Sequence, residues 1–126
     1  MSVPEYFFVR EDRQYLKIIT AEVLYLTAYK NYTKIVTSKR SYMVLSTLHR
    51  FEGFLAGSQF CRIHRSHIIN LSHMSAFDTG FVVVGGVKVS IGESYFASLQ
   101  ERLYLFGGQL QTRIRSDNTS KTAVLV

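Results

Sequence analysis

Lysine, asparagine and tyrosine side chains with the chemistry to contact a nucleic acid are concentrated at residues 30–34. Side chains alternate along an extended strand, so Lys30, Tyr32 and Lys34 share one face. Lysines can neutralise phosphates, and Asn31 and Tyr32 can reach base edges or sugars. This segment therefore favours a nucleic-acid contact, although Tyr32 also fits an ordinary tyrosine on a sheet surface.

A second basic and polar cluster lies at residues 62–67. Arginine can donate two hydrogen bonds to guanine in the major groove, which makes Arg62 and Arg65 candidates for DNA contacts. Ser66 can donate to a phosphate. His64 is either a contact residue or a hydrogen-bonded loop histidine. Two such clusters in one acid-poor segment favour the functional interpretation.

The net charge is concentrated in the segment that carries both clusters. Residues 23–77 contain seven lysines or arginines and one acid, which equals the net charge of +6 of the whole chain. The flanking segments are nearly neutral. A basic segment between neutral ones is expected for a protein with a polyanionic partner, although a solvated basic face has the same composition.

Enzymatic sites find less support in the sequence. It contains neither a Gly-x-Ser-x-Gly nucleophile elbow nor a phosphate-binding glycine-rich loop. A metal site could be built from Cys61, His64, His67 and His73, but the arginines among them would repel a cation. The Cys61 thiol is either activated by its basic neighbours or inert within an apolar run. We expect no catalytic activity, no metal and no cofactor.

The cellular setting follows from what the chain lacks. A single cysteine excludes an intrachain disulfide and fits a reducing compartment. The first residues do not resemble a signal peptide, and no apolar run is long enough to span a bilayer. We therefore expect a cytoplasmic protein that does not contact a membrane.

Short apolar and aromatic segments separated by polar turns predict a domain built mainly from strands. The predicted strands lie at residues 6–9, 15–19, 23–29, 32–38, 41–45, 60–63 and 67–71. The clearest hairpin spans residues 81–91, where Gly85 and Gly86 suit a two-residue turn. This turn pairs Val84 with Val87 and Val82 with Val89, so these four valines and Ile91 are predicted to share one buried face.

Two short helices complete the predicted domain. Ser46 is the predicted cap of the first helix, whose buried face is formed by Leu48, Phe51 and Leu55, and Gly57 ends it. The second begins near Glu93 and ends at residues 107–108. We expect a domain at residues 1–106 and a tail at 107–126, for which an interaction segment, an extra strand at 109–115 and a flexible end all stay open.

The sequence resembles the LytTR DNA-binding domain, which is the output half of many bacterial response regulators in two-component systems. The segments that carry this resemblance, in their order along the chain, are residues 6–10, 23–35, 60–71 and 89–95. The resemblance covers roughly residues 6–104. It implies elongated antiparallel β-sheets with one or two short helices. It also implies loops that enter successive major grooves of promoter DNA, where two copies of the domain occupy adjacent direct repeats.

The resemblance assigns three DNA-contacting loops. The residues assigned are Lys30, Asn31, Tyr32 and Lys34 in the first loop, Arg62, His64, Arg65 and Ser66 in the second, and Gly92, Glu93, Ser94 and Tyr95 in the third. Phosphate affinity is expected to come mainly from Lys30, Lys34, Lys39, Arg40 and Arg62. Some relatives place an arginine in the third loop, where this chain has Glu93 and Ser94, so the third contact departs from the family pattern.

The resemblance also bears on partners. Such regulators usually carry a phosphorylated receiver domain, for which this chain has no room. The chain is therefore expected to be either a free-standing domain or a fragment. A separate receiver or sensor is an expected partner. The alternative function is a basic module that binds an acidic protein without DNA sequence specificity.

Overall fold

The structure, a computed structural model, describes residues 3–108. These residues form ten β-strands and two α-helices. The strands are β1 (Tyr6–Glu11), β2 (Gln14–Ile19), β3 (Val23–Tyr29), β4 (Tyr32–Thr37), β5 (Ser41–Val44), β6 (Phe60–His64), β7 (His67–Asn70), β8 (Met74–Phe77), β9 (Phe81–Val84) and β10 (Val87–Ser90). The helices are α1 (Leu48–Leu55) and α2 (Phe96–Glu101). The prediction of a mainly β domain with two short helices is confirmed.

The strands form three antiparallel sheets. The central sheet has five strands in the order β5-β4-β3-β7-β6. A two-stranded sheet is formed by β1 and β2, and a three-stranded sheet by β8, β9 and β10 with β9 in the middle. Each face of the central sheet packs into its own hydrophobic core, so the domain is layered around this sheet.

The first core lies between one face of the central sheet, the β1–β2 hairpin and α1. Leu26 is paired with Ile35 on one side and with Ile68 on the other, so the three side chains form a row on this face. Leu48 and Phe51 supply part of the apolar side of α1. The predicted buried face of this helix is confirmed.

The second core lies between the opposite face of the central sheet, the three-stranded sheet and α2. Ile63, Ile69, Val82, Val84 and Leu99 are all fully buried there. Burying one such aliphatic side chain contributes roughly 1.5–3 kcal/mol to the free energy of folding. The two cores together cover both faces of the central sheet.

The hairpin at residues 81–91 has the predicted register, with Val84 opposite Val87. Gly85 and Gly86 have φ angles of 57° and 80°, in the left-handed region that glycine adopts readily. A Cβ on Gly85 would also lie 2.6 Å from Leu24 Cδ1. The predicted burial of Val87 is wrong, because this residue is 44% exposed. It follows the turn directly on an edge strand, where only one neighbouring strand flanks it.

The helix boundaries differ from the prediction at two places. Thr47, rather than Ser46, caps α1, because its hydroxyl accepts a hydrogen bond from the Arg50 amide three residues later. The second helical segment begins with a 3-10 turn at Glu93–Tyr95 and ends at Glu101, well before Gly107. The predicted end of α1 near Gly57 is confirmed by the φ angle of 79° there.

One strand was not predicted. β8 has exposed residues at its centre, so its sequence lacks the apolar alternation that marks a half-buried strand. The predicted strand at residues 109–115 and most of the predicted tail lie outside the described residues, so the domain boundary at residue 106 stays a prediction. Within residues 3–108, neither helix has the length and apolar character needed to cross a bilayer.

Candidate nucleic-acid interface

The first two predicted loops lie side by side at one end of the central sheet. Residues 30–31 connect β3 to β4, and residues 65–66 connect β6 to β7. β3 and β7 are neighbours in which Thr27 is opposite His67. The Ala28 amide donates a 2.8 Å hydrogen bond to the Ser66 carbonyl, which ties the two loops together. We call this end of the sheet the loop end and the opposite end the far end.

The third predicted loop, residues 92–95, joins the other two at the loop end. The Gly92 amide donates a 2.8 Å hydrogen bond to the Ile63 carbonyl of β6. A Cβ on Gly92 would lie 2.9 Å from the Tyr95 ring and 3.5 Å from His64 Cα, so a larger residue here would have to displace the Tyr95 ring. Glu93 is exposed beside this contact. The structure therefore brings all three loops together, although they are far apart in the sequence.

The first loop projects charged and aromatic groups into solvent. Lys30 has a φ angle of 58°, which is uncommon for a residue other than glycine and is set by the tight turn. Tyr29 and Tyr32 face each other across the turn and are 57% and 42% exposed. The Lys30 ammonium lies 5.9 Å from the centre of the Tyr29 ring. Asn31 is exposed at the tip.

A polar row crosses four strands next to these loops. Lys34 is opposite Thr27, Thr27 is opposite His67, and His67 is opposite His64. The Thr27 hydroxyl is hydrogen-bonded to His67 Nδ1 at 2.8 Å, and the two imidazole rings are 4.7 Å apart. Lys34 at the end of the row is exposed. The row extends the polar surface from the loop tips onto the sheet face.

Burial lowers the pKa of His67, and the proximity of His64 lowers it further. A hydrogen bond with the Ser66 backbone raises it in part. The lowered pKa favours the neutral imidazole of His67 at pH 7.

The second loop is closed by side chains. The Ser66 amide donates a 3.0 Å hydrogen bond to His64 Nδ1. The Arg62 guanidinium donates to the His64 carbonyl at 2.9 Å, to the Arg65 carbonyl at 2.5 Å and to Glu52 Oε1 at 2.6 Å. The Arg62 side chain is only 18% exposed, whereas Arg65 is exposed at the tip. The two arginines of this cluster thus have different environments.

Lys39 and Arg40 lie at the far end, apart from the other predicted contacts. They belong to the turn between β4 and β5, and β4 runs from the loop end to the far end. Lys39 forms a 3.5 Å ion pair with Glu22, and Arg40 forms a 2.6 Å ion pair with Glu11. Hydrogen bonds from Arg40 and from a backbone amide hold the pKa of Glu11 below its ordinary value.

Three residues of this surface were not predicted as contacts. Tyr29, Thr27 and His67 share the face of Tyr32 and Lys34 through strand alternation and register. Alternation along β3 places Thr27 and Tyr29 on one face. The register between strands that aligns this face with His67 is not visible in the sequence.

Neither the metal site nor the reactive thiol considered from the sequence is supported by the described residues. In residues 3–108, no three His, Cys, Asp or Glu side chains are grouped closely enough to hold a metal ion. Cys61 is buried in the second core, and burial raises the pKa of its thiol. Such a thiol is a poor nucleophile at neutral pH.

Comparisons with known proteins agree on one family. Residues 5–104 match the model of the LytTr DNA-binding domain. The transcriptional regulatory protein LytR of Staphylococcus aureus is 32% identical over 79 residues, which cover 58% of this chain and 32% of that protein. The sensory transduction protein LytT of Bacillus subtilis is 25% identical over 92 residues, which cover 68% of this chain and 38% of that protein.

A solved structure has the same fold. It is a LytTr DNA-binding domain of a Bacillus cereus response regulator, with a TM-score of 0.68 and 21% sequence identity. The match covers 78% of this chain and 95% of that one. By contrast, the chain spans only about a third of the length of the two regulators that it matches.

Proposed function

Because the chain belongs to the LytTR DNA-binding domain family, we propose that it binds double-stranded promoter DNA in a sequence-specific manner and acts as a transcriptional regulator. The observation that supports this proposal is the gathering of three loops at one end of the central sheet. Two of these loops belong to the basic segment of the chain. A polyanion approaching this end would meet exposed cations together with exposed hydrogen-bonding groups.

The environments of the side chains suggest a division of roles. Lys30 and Lys34 are exposed cations beside the loop tips and would neutralise phosphates. Arg65 is exposed at the tip of the second loop and is the best candidate for a bidentate contact with guanine. Asn31 and Tyr32 would reach base edges or sugars at the first loop.

The remaining predicted residues have less direct roles in this proposal. His64 and Ser66 bond to each other and shape the second loop. Glu93 and Ser94 are exposed in the third loop, where a carboxylate can accept a hydrogen bond from cytosine but repels phosphate. Lys39 and Arg40 lie at the far end and are left out of the proposed interface.

The wider arrangement is also a proposal. Two copies of the domain would occupy adjacent direct repeats, each with its loops in successive major grooves. The LytR and LytT regulators are both longer than the region that matches this chain. A receiver or sensor would accordingly control the domain, either as part of a longer chain or as a separate partner.

Selection of binding sites from a random duplex library at moderate salt tests this function. We expect a repeated motif whose copies are separated by whole helical turns. Arg65→Ala should reduce the ratio of specific to random binding by about 5–150-fold, which corresponds to about 1–3 kcal/mol. Arg13→Ala, which removes an exposed arginine from the β1–β2 turn, is the matched control and should preserve the ratio. An unchanged ratio in Arg65→Ala would remove Arg65 from base recognition.

Binding of an acidic protein is the second candidate function. The outer face of the β1–β2 hairpin supports it, because Tyr6, Phe8 and Tyr15 are 48%, 54% and 64% exposed there. Lys17 Nζ lies 4.4 Å from the centre of the Tyr6 ring on the same face. Exposed apolar groups with adjacent cations suit a partner that carries carboxylates. Salt-sensitive DNA binding with no enriched motif in the selection would favour this candidate.

A further inference from the structure

We propose that Arg62, held in place by Glu52, is a positioning residue that sets the specificity of the second loop. It would act through Arg65 and would not itself contact phosphate. This inference rests on the proposed function of the loop end. It changes the role of Arg62 from a source of affinity, as predicted from the sequence, to a source of selectivity.

The contacts of Arg62 carry the argument. Its guanidinium donates to the backbone carbonyls of His64 and Arg65, at 2.9 Å and 2.5 Å. A third hydrogen bond, of 2.6 Å, reaches Glu52 and neutralises the charge locally. All three nitrogens of the guanidinium are thus engaged within the domain. Three of its five N–H donors are therefore occupied and its charge is paired with Glu52, so its contacts favour a structural role over a phosphate contact.

The local strand geometry explains why the loop needs this support. The pairing of β6 with β7 is irregular, because Arg62 is opposite Ile68 and His64 is opposite His67. Such a bulge interrupts the regular ladder of hydrogen bonds. Arg62 supplies donors to two carbonyls at the end of the strand. The guanidinium therefore fixes the backbone from which the Arg65 side chain projects.

Glu52 connects this support to the core. It lies on α1, whose apolar side is anchored in the first core by Leu48, Phe51 and Leu55. The charge-assisted hydrogen bond from Arg62 to Glu52 is therefore made to a rigid element. A lysine at position 62 would preserve the charge. It could not reproduce the planar fork that reaches both carbonyls and the carboxylate at once.

Arg62→Lys separates the two roles. A phosphate contact tolerates this substitution, so random-sequence affinity and specific affinity would both stay near wild type. A positioning role predicts at least a tenfold loss in the ratio of specific to random binding, with the salt dependence of random binding unchanged. The matched control is Arg102→Lys, because Arg102 donates to the carbonyls of Ser58 and Phe60 at the other end of β6. It should keep the wild-type ratio.

A measurement without DNA tests the same inference independently. The Ser66 amide is hydrogen-bonded to His64 inside the supported loop. We expect its hydrogen exchange to accelerate at least tenfold in Arg62→Lys and in Glu52→Gln, and to stay near wild type in Arg102→Lys.

The outcomes distinguish this inference from the proposed function. Wild-type binding without sequence preference would refute the proposed function, while the exchange rate of Ser66 would still decide whether Arg62 orders the loop. An unchanged binding ratio in Arg62→Lys, with a protected Ser66 amide, would overturn the positioning role.

Discussion

Replacing Lys34 and Lys39 separately by alanine tests whether DNA binds at the loop end. Both changes remove one positive charge from the same basic segment, and the sequence alone predicts both lysines as phosphate contacts. In the structure, Lys34 lies in the polar row beside the loops, whereas Lys39 lies in the turn at the far end and pairs with Glu22. We therefore expect the two variants to behave differently.

The size of the difference follows from the geometry. β4 covers five residue steps from Tyr32 to Thr37, which is roughly 17 Å at about 3.3 Å per step. Lys39 lies beyond that strand, so its distance from the loop end exceeds the Debye length of about 8–10 Å at 0.1–0.15 M salt. Each phosphate contact contributes about −0.9 to the slope of log K against log salt. Between 50 and 200 mM salt, one contact therefore changes the affinity by about 3.5-fold.

The assay is a titration of random-sequence duplex DNA at several salt concentrations. Lys34→Ala should weaken binding at low salt and reduce the steepness of the slope by about 0.9. Lys39→Ala should have a slope within error of wild type. Equal losses in both variants would mean that only total charge matters and would refute the placement of DNA at the loop end. A larger loss in Lys39→Ala would place the DNA at the far end.

Two further predictions concern the stability of the central sheet. Asn70→Ala should lower the free energy of unfolding, measured by urea titration, by about 1–3 kcal/mol. The reason is that the buried Asn70 amide donates a 2.9 Å hydrogen bond to the Val23 carbonyl, and the substitution removes this donor. A loss below about 0.5 kcal/mol would contradict this prediction. His67→Gln should make the free energy of unfolding less dependent on pH. The folded-state pKa of His67 lies below its ordinary value of about 6.5, so the unfolded chain binds a proton first as the pH falls. The stability that neutral His67 contributes is therefore present above pH 6.5 and lost below it. Equal losses of stability in His67→Gln and wild type between pH 7.5 and pH 5 would show that His67 is not the group responsible.

The local parts of the fold could be predicted from the sequence. Alternating apolar residues and a Gly-Gly turn predicted the hairpin at residues 81–91 and its register, and the i, i+3, i+7 spacing predicted the buried face of α1. These features depend on neighbouring residues and on backbone preferences, so a short window contains the information. The basic composition of residues 23–77 is likewise a property of the sequence alone. The exposure of Val87 and the strand β8 were not predicted, because burial at a sheet edge depends on which strands lie beside it.

The arrangement of the candidate site was decided by the tertiary structure. Strand order places residues 30–31 beside residues 65–66 and sends Lys39 to the far end, although Lys39 is closer in sequence to the first loop than Arg65 is. The environment of Arg62 depends on Glu52, which is ten positions away on a different element. Such pairings result from the burial of two cores on opposite faces of one sheet, which is a property of the whole chain. Residue types therefore indicated the chemistry, and only the packing of the strands determined which of these residues can act together.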